Sequence, residues 1–475
     1  MKVGDWAIHQ PSLLVNDKRM NEVIAIFDIG KTNKKFLLFD KNHELVYQDE
    51  KIMPTTVDDD GFECDDIALI EKWIISRLKT EINNGKYDIK GINFSTYGAS
   101  LVFLNDDGER LAPLYNYLKP VPEELSQRWY NENGGKKEFC RKTASPALGA
   151  MLNSGLQIKW LKHYKPEVYA QVRYILHFPQ YLSFLFTRYV LSEFTSIGCH
   201  TGMWDFDQMK YHEWVAREGV SLPAPKNNSF VLNVQISGRE VAVGPGIHDS
   251  SASLAPYLLA DVGEFILIST GTWCINMNPF NHQPLTQHEL ENDCLCYLSV
   301  DEKPVKSSRF FMGHIHDVNV SRLTSHFRVD SSAFKSVDFN PGLLKKFLED
   351  TGEGASFFKE GVPSGYVDDQ IDLNRFKNFD EAYHRLVFDL TRLNAASIKL
   401  VMDKNDGVQK IFISGGFARN EIFVRSMTAF FPGKTIFTSQ VDNATALGAA
   451  LVINDVLPQK ERVDINLNQR KWESL

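Results

Sequence analysis

Residues 23–40 read Val-Ile-Ala-Ile-Phe-Asp-Ile-Gly-Lys-Thr-Asn-Lys-Lys-Phe-Leu-Leu-Phe-Asp, and their pattern sets the frame for the whole chain. The apolar run Val23 to Phe27 predicts a buried strand that ends in Asp28. A tight polar turn follows with Gly30, Thr32 and Asn33, and Lys34 and Lys35 lead into a second apolar strand, Phe36 to Phe39. The predicted β-hairpin carries at its tip a carboxylate, backbone N–H groups, a hydroxyl and cations. Those are the parts that hold a polyphosphate and its Mg²⁺. Gly30 lets backbone approach an anion closely. Thr32 can donate to a phosphate oxygen. Asp28 can hold the metal through water, because Mg²⁺ dehydrates reluctantly. An ordinary charged hairpin is the competing reading of these residues alone.

Working outward, residues 265–276 read Phe-Ile-Leu-Ile-Ser-Thr-Gly-Thr-Trp-Cys-Ile-Asn, again a strand entering a Thr-Gly-Thr turn and leaving as a strand. Residues 411–420, Ile-Phe-Ile-Ser-Gly-Gly-Phe-Ala-Arg-Asn, predict a strand, a double-glycine turn and a helix start. One hairpin opening each half, with a late strand-Gly-Gly-helix, resembles the layout of actin-like ATPases, in which ATP lies between two related domains.

The chain has 475 residues, is 43% hydrophobic and 24% charged, and has a formal charge of −8. That length suits about two to four domains. The acidic balance speaks against a nucleic-acid surface and for a small-molecule partner. No apolar run reaches the roughly 20 residues of a membrane span, and Met1 to Met20 lack a signal-peptide core. A cytoplasmic protein is expected. The six cysteines are scattered, and Cys294 and Cys296 lack a second ligand cluster, so free thiols are expected rather than a metal site.

A third strand is expected over 43–53, a helix over 66–84 from the spacing of Ile67, Ile70, Trp73, Ile74 and Leu78, and a strand over 90–95. This β-β-β-α-β order is the core of the ribonuclease-H-like fold. Residues 147–200 read as mostly helical, broken at Gly149, Gly155, Pro166 and Pro179. Gly244-Pro245-Gly246 reads as a boundary and hinge, giving an N-terminal domain over 1–246 and a C-terminal domain over 247–475. A helix is expected over 249–260, with Asp249, Ser250 and Ser251 in the capping positions. A long amphipathic helix spans 377–403, and a helix over 420–431, a strand over 435–438 and a small-residue helix over 444–450 close the chain. Residues 301–375 are hard to read.

Assembled in order, these segments resemble the FGGY family of carbohydrate kinases over nearly the whole chain. Asp28 to Lys35 is similar to the family's first phosphate motif, Ser269 to Trp273 to its second, and Gly415 to Asn420 to its adenosine motif. Leu191-Ser-Glu-Phe-Thr195 and Gly202-Met-Trp-Asp-Phe206 resemble segments of the sugar domain, and His248-Asp-Ser-Ser-Ala-Ser253 the segment with the catalytic Asp. The resemblance implies two actin-like domains, an ATP and sugar cleft between them, and Asp249 as general base. Helix capping is the plainer role of an Asp at that position. His248 is read as a packing neighbour. Asp28 becomes the metal-side carboxylate. Gly30, Thr32, Asn33 and Lys35 with Gly271 and Thr272 face the phosphates, and Gly415, Gly416 and Asn420 meet adenine and ribose. Strand alternation turns one lysine inward, and the family's basic residue falls at Lys35, so Lys34 is expected in solvent. Thr96, Tyr97 and Gly98 are expected to bind the sugar, with Asn116 and Tyr117 as further contacts. Trp129, Trp160 and Trp204 could stack on it, although tryptophans are more often core.

The segments around Asp249 and Trp273 look most like the rhamnulose and fuculose kinase branch. ATP, Mg²⁺ and a 6-deoxyketose phosphorylated at C1 are therefore the expected ligands, with Phe178, Tyr181 or Trp204 as a wall for the sugar's methyl group. The chain departs from that branch at Gly98-Ala99-Ser100, where rhamnulose kinases have Gly-Val-Asp, and at Asn116-Tyr117, where they have Arg-Asp. A xylulose, ribulose or polyol kinase, a silent sugar sensor and a chaperone-like ATPase are the alternatives. No nucleic-acid or membrane partner is expected, and a homodimer is the assembly that the resemblance allows.

Overall fold

The computed structural model describes residues 20–350, 356–358, 361–403, 407–458 and 465–473. Its centre is a pair of seven-stranded sheets built on one plan. In the first, Asn21–Ile29, Asn33–Asp40 and Leu45–Ile52 pair antiparallel in succession. Tyr87–Thr96 then lies parallel to Asn21–Ile29, with Arg239–Val243 parallel beyond it. In the second, Phe265–Thr270, Cys274–Asn278 and Pro304–Phe310 pair antiparallel. Lys410–Gly415 lies parallel to Phe265–Thr270, and Thr435–Thr438 parallel beyond it. Both sheets therefore run third, second, first, fourth, fifth across their core. Each hairpin puts its turn at the carboxyl end of a parallel strand, where open α/β sheets bind ligands.

Helix Ile67–Asn84 forms where the periodicity predicts it. Asp66 caps it by accepting from the Leu69 N–H at 3.0 Å, and Gly85 ends it in the left-handed conformation. Ile70, Trp73, Ile74 and Leu78 seat against Phe27, Phe36 and Phe94 on one face of the first sheet. Each such side chain contributes about 1.5–3 kcal/mol by burial. The opposite face, through Ile24, Ile26 and Leu37, meets helix Asp249–Leu259 at Ala252 and Ala255 and helix Ala444–Leu451 at Ala446 and Ala449. The other side of helix Asp249–Leu259, through Leu254 and Tyr257, packs on Phe265, Leu267 and Phe412 of the second sheet. One helix thus bridges both halves. Its partner approaches so closely that a Cβ on Gly448 would lie 1.9 Å from the Ala252 carbonyl oxygen.

The segment 147–200 is mostly helical, as expected, but its interruptions differ: strand Tyr174–His177 divides the helices and pairs antiparallel with Leu101–Leu104. Gly155 lies within helix Ser154–Tyr164, while Pro166 and Pro179 begin helices rather than break them. Gly244-Pro245-Gly246 is a packed segment rather than an exposed linker. Its carbonyls accept from Ser183 Oγ and Gln180 Nε2, the Gly246 N–H donates to Asn93 Oδ1 at 3.0 Å, and all of it is buried. Ile247–His248, on the far side of the expected 246/247 division, pairs in parallel with Ser95 and Thr96 of the first sheet. All six cysteines are free and buried. No helix among the described residues is long and apolar enough to cross a membrane.

Candidate active site

Strand register brings the first group of side chains together. Asp28 stands opposite Ser95, Ile29 opposite Thr96, and Thr96 opposite His248. Asp28, Thr96 and Asp249 therefore share one sheet end. Burial, the Asp249 charge and, in opposition, the Lys35 ammonium act on the Asp28 carboxyl, and the net effect pushes it up to about 7. The Asp249 charge beside the buried Asp28 carboxyl suits a site that receives a cation. Lys35 also reaches across the halves, its Nζ 3.1 Å from Asn443 Oδ1 at the start of helix Ala444–Leu451. Thr32 is exposed at the turn, which the Gly30 N–H closes on the Asn33 carbonyl at 2.9 Å.

Asp249 is the first residue of its helix and does not cap it; His248 holds the cap position with no side-chain bond. Asp249 Oδ1 lies 3.3 Å from His248 Nε2 and accepts from Ser250 Oγ at 3.3 Å. Burial lowers the His248 pKa, keeping the ring neutral near pH 7. Since its Nδ1 is buried without a partner, the proton belongs on Nε2, facing the carboxylate. Asp249 Oδ2 receives no hydrogen bond from the described residues.

The acceptor-side residues take unexpected partners. Tyr97 gives its hydroxyl to Asp65 Oδ2 at 2.8 Å, Thr96 gives its own to the Tyr97 carbonyl, and Gly98 lies against the His248 ring, 2.6 Å from where a Cβ would stand. Asn116 bonds the Glu63 carbonyl. Lys34 is not in solvent: it is 1% exposed, and its Nζ donates to Asp65 Oδ1 at 2.9 Å. Lys31 donates to the other Asp65 oxygen at 2.7 Å and sits 5.2 Å from the Tyr97 ring centre and 5.6 Å from that of Tyr117. Asp65 thus ties the first hairpin turn to Tyr97, a role no local motif signals. Trp129, Trp160, Trp204, Phe178 and Tyr181 are buried core and offer no sugar-facing surface. Trp273, by contrast, is 41% exposed beside Thr272 and lines a cavity of ≈ 360 Å³ with Ser250, His200 and Arg309.

The second hairpin borders a larger cleft of ≈ 760 Å³, lined by Gly271, Thr272, Gly313, Tyr383, Gly416 and Asn420. Gly415 has φ +84° and would set a Cβ 1.9 Å from the Thr270 carbonyl oxygen, so only glycine fits. Gly313, which no sequence motif singled out, is similarly constrained: a Cβ there would lie 2.2 Å from the Gly271 carbonyl oxygen, and its N–H donates to the Thr272 carbonyl at 3.1 Å. Asn420 is the cap of helix Glu421–Phe430, accepting from the Phe423 N–H at 3.1 Å, while its Nδ2 meets the Tyr383 hydroxyl at 2.9 Å. One amide N–H therefore remains for the cleft. Among the described residues, the one group of three acidic side chains close enough to share an ion, Asp58, Asp59 and Asp60, is answered by Lys119 and Lys165.

Residues 23–220 match the model for the N-terminal domain of the FGGY family of carbohydrate kinases, and residues 262–338 match that for the C-terminal domain. A curated relative, rhamnulokinase of Mannheimia succiniciproducens, is 24% identical over 270 residues, 53% of this chain and 52% of the relative. The chain thus spans about half the length of the curated relative it matches. Among solved structures, a carbohydrate kinase from Novosphingobium aromaticivorans superposes with TM-score 0.78 at 23% identity, over 96% of this chain and 95% of that one. A xylulose kinase from Rhodospirillum rubrum does so with TM-score 0.76 at 14% identity, over 95% and 94%. The fold is that of the sugar kinases, with their two actin-like domains.

Proposed function

This chain belongs to the FGGY family of carbohydrate kinases, and from that premise we propose that it transfers the γ-phosphate of MgATP to a ketose hydroxyl. The observation that carries the reading is the meeting of Asp28 and Asp249 at one sheet end, with an exposed threonine turn from each half beside them. Asp249 Oδ2 takes the proton of the acceptor hydroxyl as its oxygen attacks phosphorus and ADP leaves. His248 and Ser250 hold Oδ1, which fixes the carboxylate plane. Lys35 and the turns carrying Thr32 and Thr272 balance charge on the phosphoryl oxygens. Asp28 would hold Mg²⁺ through water, and the metal, when bound, neutralises charge between the β- and γ-phosphates. The mutual repulsion of the two carboxylates fits that role. Adenine takes the ≈ 760 Å³ cleft, where Asn420 keeps an amide N–H.

For the acceptor we favour a 6-deoxyketose, phosphorylated on its primary C1 hydroxyl. The name of the curated relative supports this choice. A primary hydroxyl reaches both Asp249 and an in-line phosphate with least crowding. The apolar surface available to a methyl group is Trp273 rather than the buried aromatics first expected. ADP release from MgATP, measured with and without L-rhamnulose, L-fuculose, D-xylulose or L-ribulose, tests the reading. Stimulation by the deoxyketoses above the pentuloses is expected. Preference for a pentulose overturns the substrate, ADP release without sugar points to a chaperone-like ATPase, and binding without turnover to a sensor.

A further inference from the structure

Glu193 is fully buried, and no cation pairs with it among the described residues. Its carboxylate instead accepts three hydrogen bonds, from the Thr195 N–H at 2.9 Å, the Thr195 hydroxyl at 2.7 Å and the Ser196 N–H at 3.1 Å. A threonine hydroxyl has one hydrogen and two lone pairs. With its hydrogen committed to Glu193, Thr195 Oγ1 can only accept, and it accepts from the His248 backbone N–H at 3.0 Å. His248 is the cap residue of helix Asp249–Leu259, and its ring faces Asp249. From Glu193 through Thr195 the chain of bonds ends one residue before the proposed base, spanning 53 residues of sequence at its last step.

We propose that Thr195, oriented by Glu193, is a positioning residue for phosphoryl transfer: it fixes the His248 backbone and thereby the reach of Asp249 toward the acceptor hydroxyl. The inference rests on Asp249 acting as base. Small displacements of a catalytic group cost rate rather than binding, up to about a hundredfold for roughly 1 Å. Removing the hydroxyl leaves the buried His248 N–H without an acceptor, so the helix start shifts to find one.

A double-mutant cycle tests this with a readout that simple destabilisation does not move. Thr195→Val should lower kcat about 10- to 100-fold, with KM for sugar and MgATP within about threefold. Thr195→Ser, which keeps the hydroxyl, should restore kcat to within about threefold. In an Asp249→Asn background, Thr195→Val should have almost no further effect, because it acts through the missing carboxylate. If Thr195→Val fails to fold, Glu193→Gln takes its place in the cycle, with the same non-additivity expected at smaller size. Equal losses in both backgrounds, or an unchanged kcat in folded Thr195→Val, overturn the proposal while leaving Asp249 as base. Full turnover by Asp249→Asn alone would instead remove the reading on which it rests.

Discussion

The two hairpins share one topology but are held in place by different physics. The turn of the first carries Lys31, Lys34 and Lys35, and two of these close on Asp65, a residue outside the hairpin. The turn of the second is uncharged. It is held by backbone contact, Gly313 against the Gly271 carbonyl and Gly415 against that of Thr270, with Thr270 Oγ1 bonded to the Ser414 carbonyl and the Phe417 N–H. One hairpin turn is thus fixed by buried charge and the other by the absence of side chains. The first should fail when a charge is removed, the second when an atom is added.

Asp65→Ala breaks the first most strongly. It leaves Lys34 buried without its carboxylate, so the loss should be about 3–5 kcal/mol in chemical denaturation. Stability near that of the parent would mean that water already reaches Lys34. Gly415→Ala breaks the second, by strain of about 1–3 kcal/mol at a left-handed backbone plus the clash with Thr270. Gly416→Ala serves as the control, since nothing lies within 4 Å of its Cβ position. A matched pair of thermal melts with equal losses would refute the steric account. Thr32→Ala and Thr272→Ala ask whether the two exposed turns are functionally equal. Each should change stability by less than about 0.5 kcal/mol and raise KM for MgATP about tenfold. An effect confined to one turn would show that phosphate is gripped from one half only.

A further effect concerns pH. Burial, opposed by hydrogen bonds from Thr195 and Ser196, pushes the Glu193 carboxyl up to about 7, well above the ordinary carboxylate range. The folded protein therefore binds this proton more tightly than the unfolded chain. That contribution to stability is full below the unfolded value and is lost as pH rises toward 7. Buried histidines such as His177 and His248 act in the opposite sense, losing stability as pH falls below their unfolded value. The difference in melting temperature between Glu193→Gln and the parent isolates the carboxylate: it should move in favour of the variant between about pH 5 and 8. A constant difference would place Glu193 in an ordinary titration range.

Much of this was legible from local pattern. Both hairpins, the Asp66-capped helix and the small-residue contact at Gly448 follow from periodicity, capping and the need for close approach. What escaped depends on partners distant in sequence. Alternation along Asn33-Lys34-Lys35 separates the two lysines correctly, but the burial of Lys34 is decided by Asp65, 31 residues away. Strand Tyr174–His177 exists because Leu101–Leu104 pairs with it, which no helical periodicity reveals. Tyr97 reads as a sugar ligand until Asp65 takes its hydroxyl. Within 301–375, helix Met312–Phe327 begins without a side-chain cap, so it gives no start signal, and its Gly313 matters only once the Gly271 turn is beside it.

The central claim is that the two halves assemble one phosphoryl-transfer site around Asp249. Its most direct test is Asp249→Asn, followed by sugar-stimulated ADP release and, separately, by calorimetric binding of MgATP and sugar. The account predicts turnover lower by about two to four orders of magnitude, with both affinities within a few-fold of the parent. Turnover within a few-fold of the parent would contradict it.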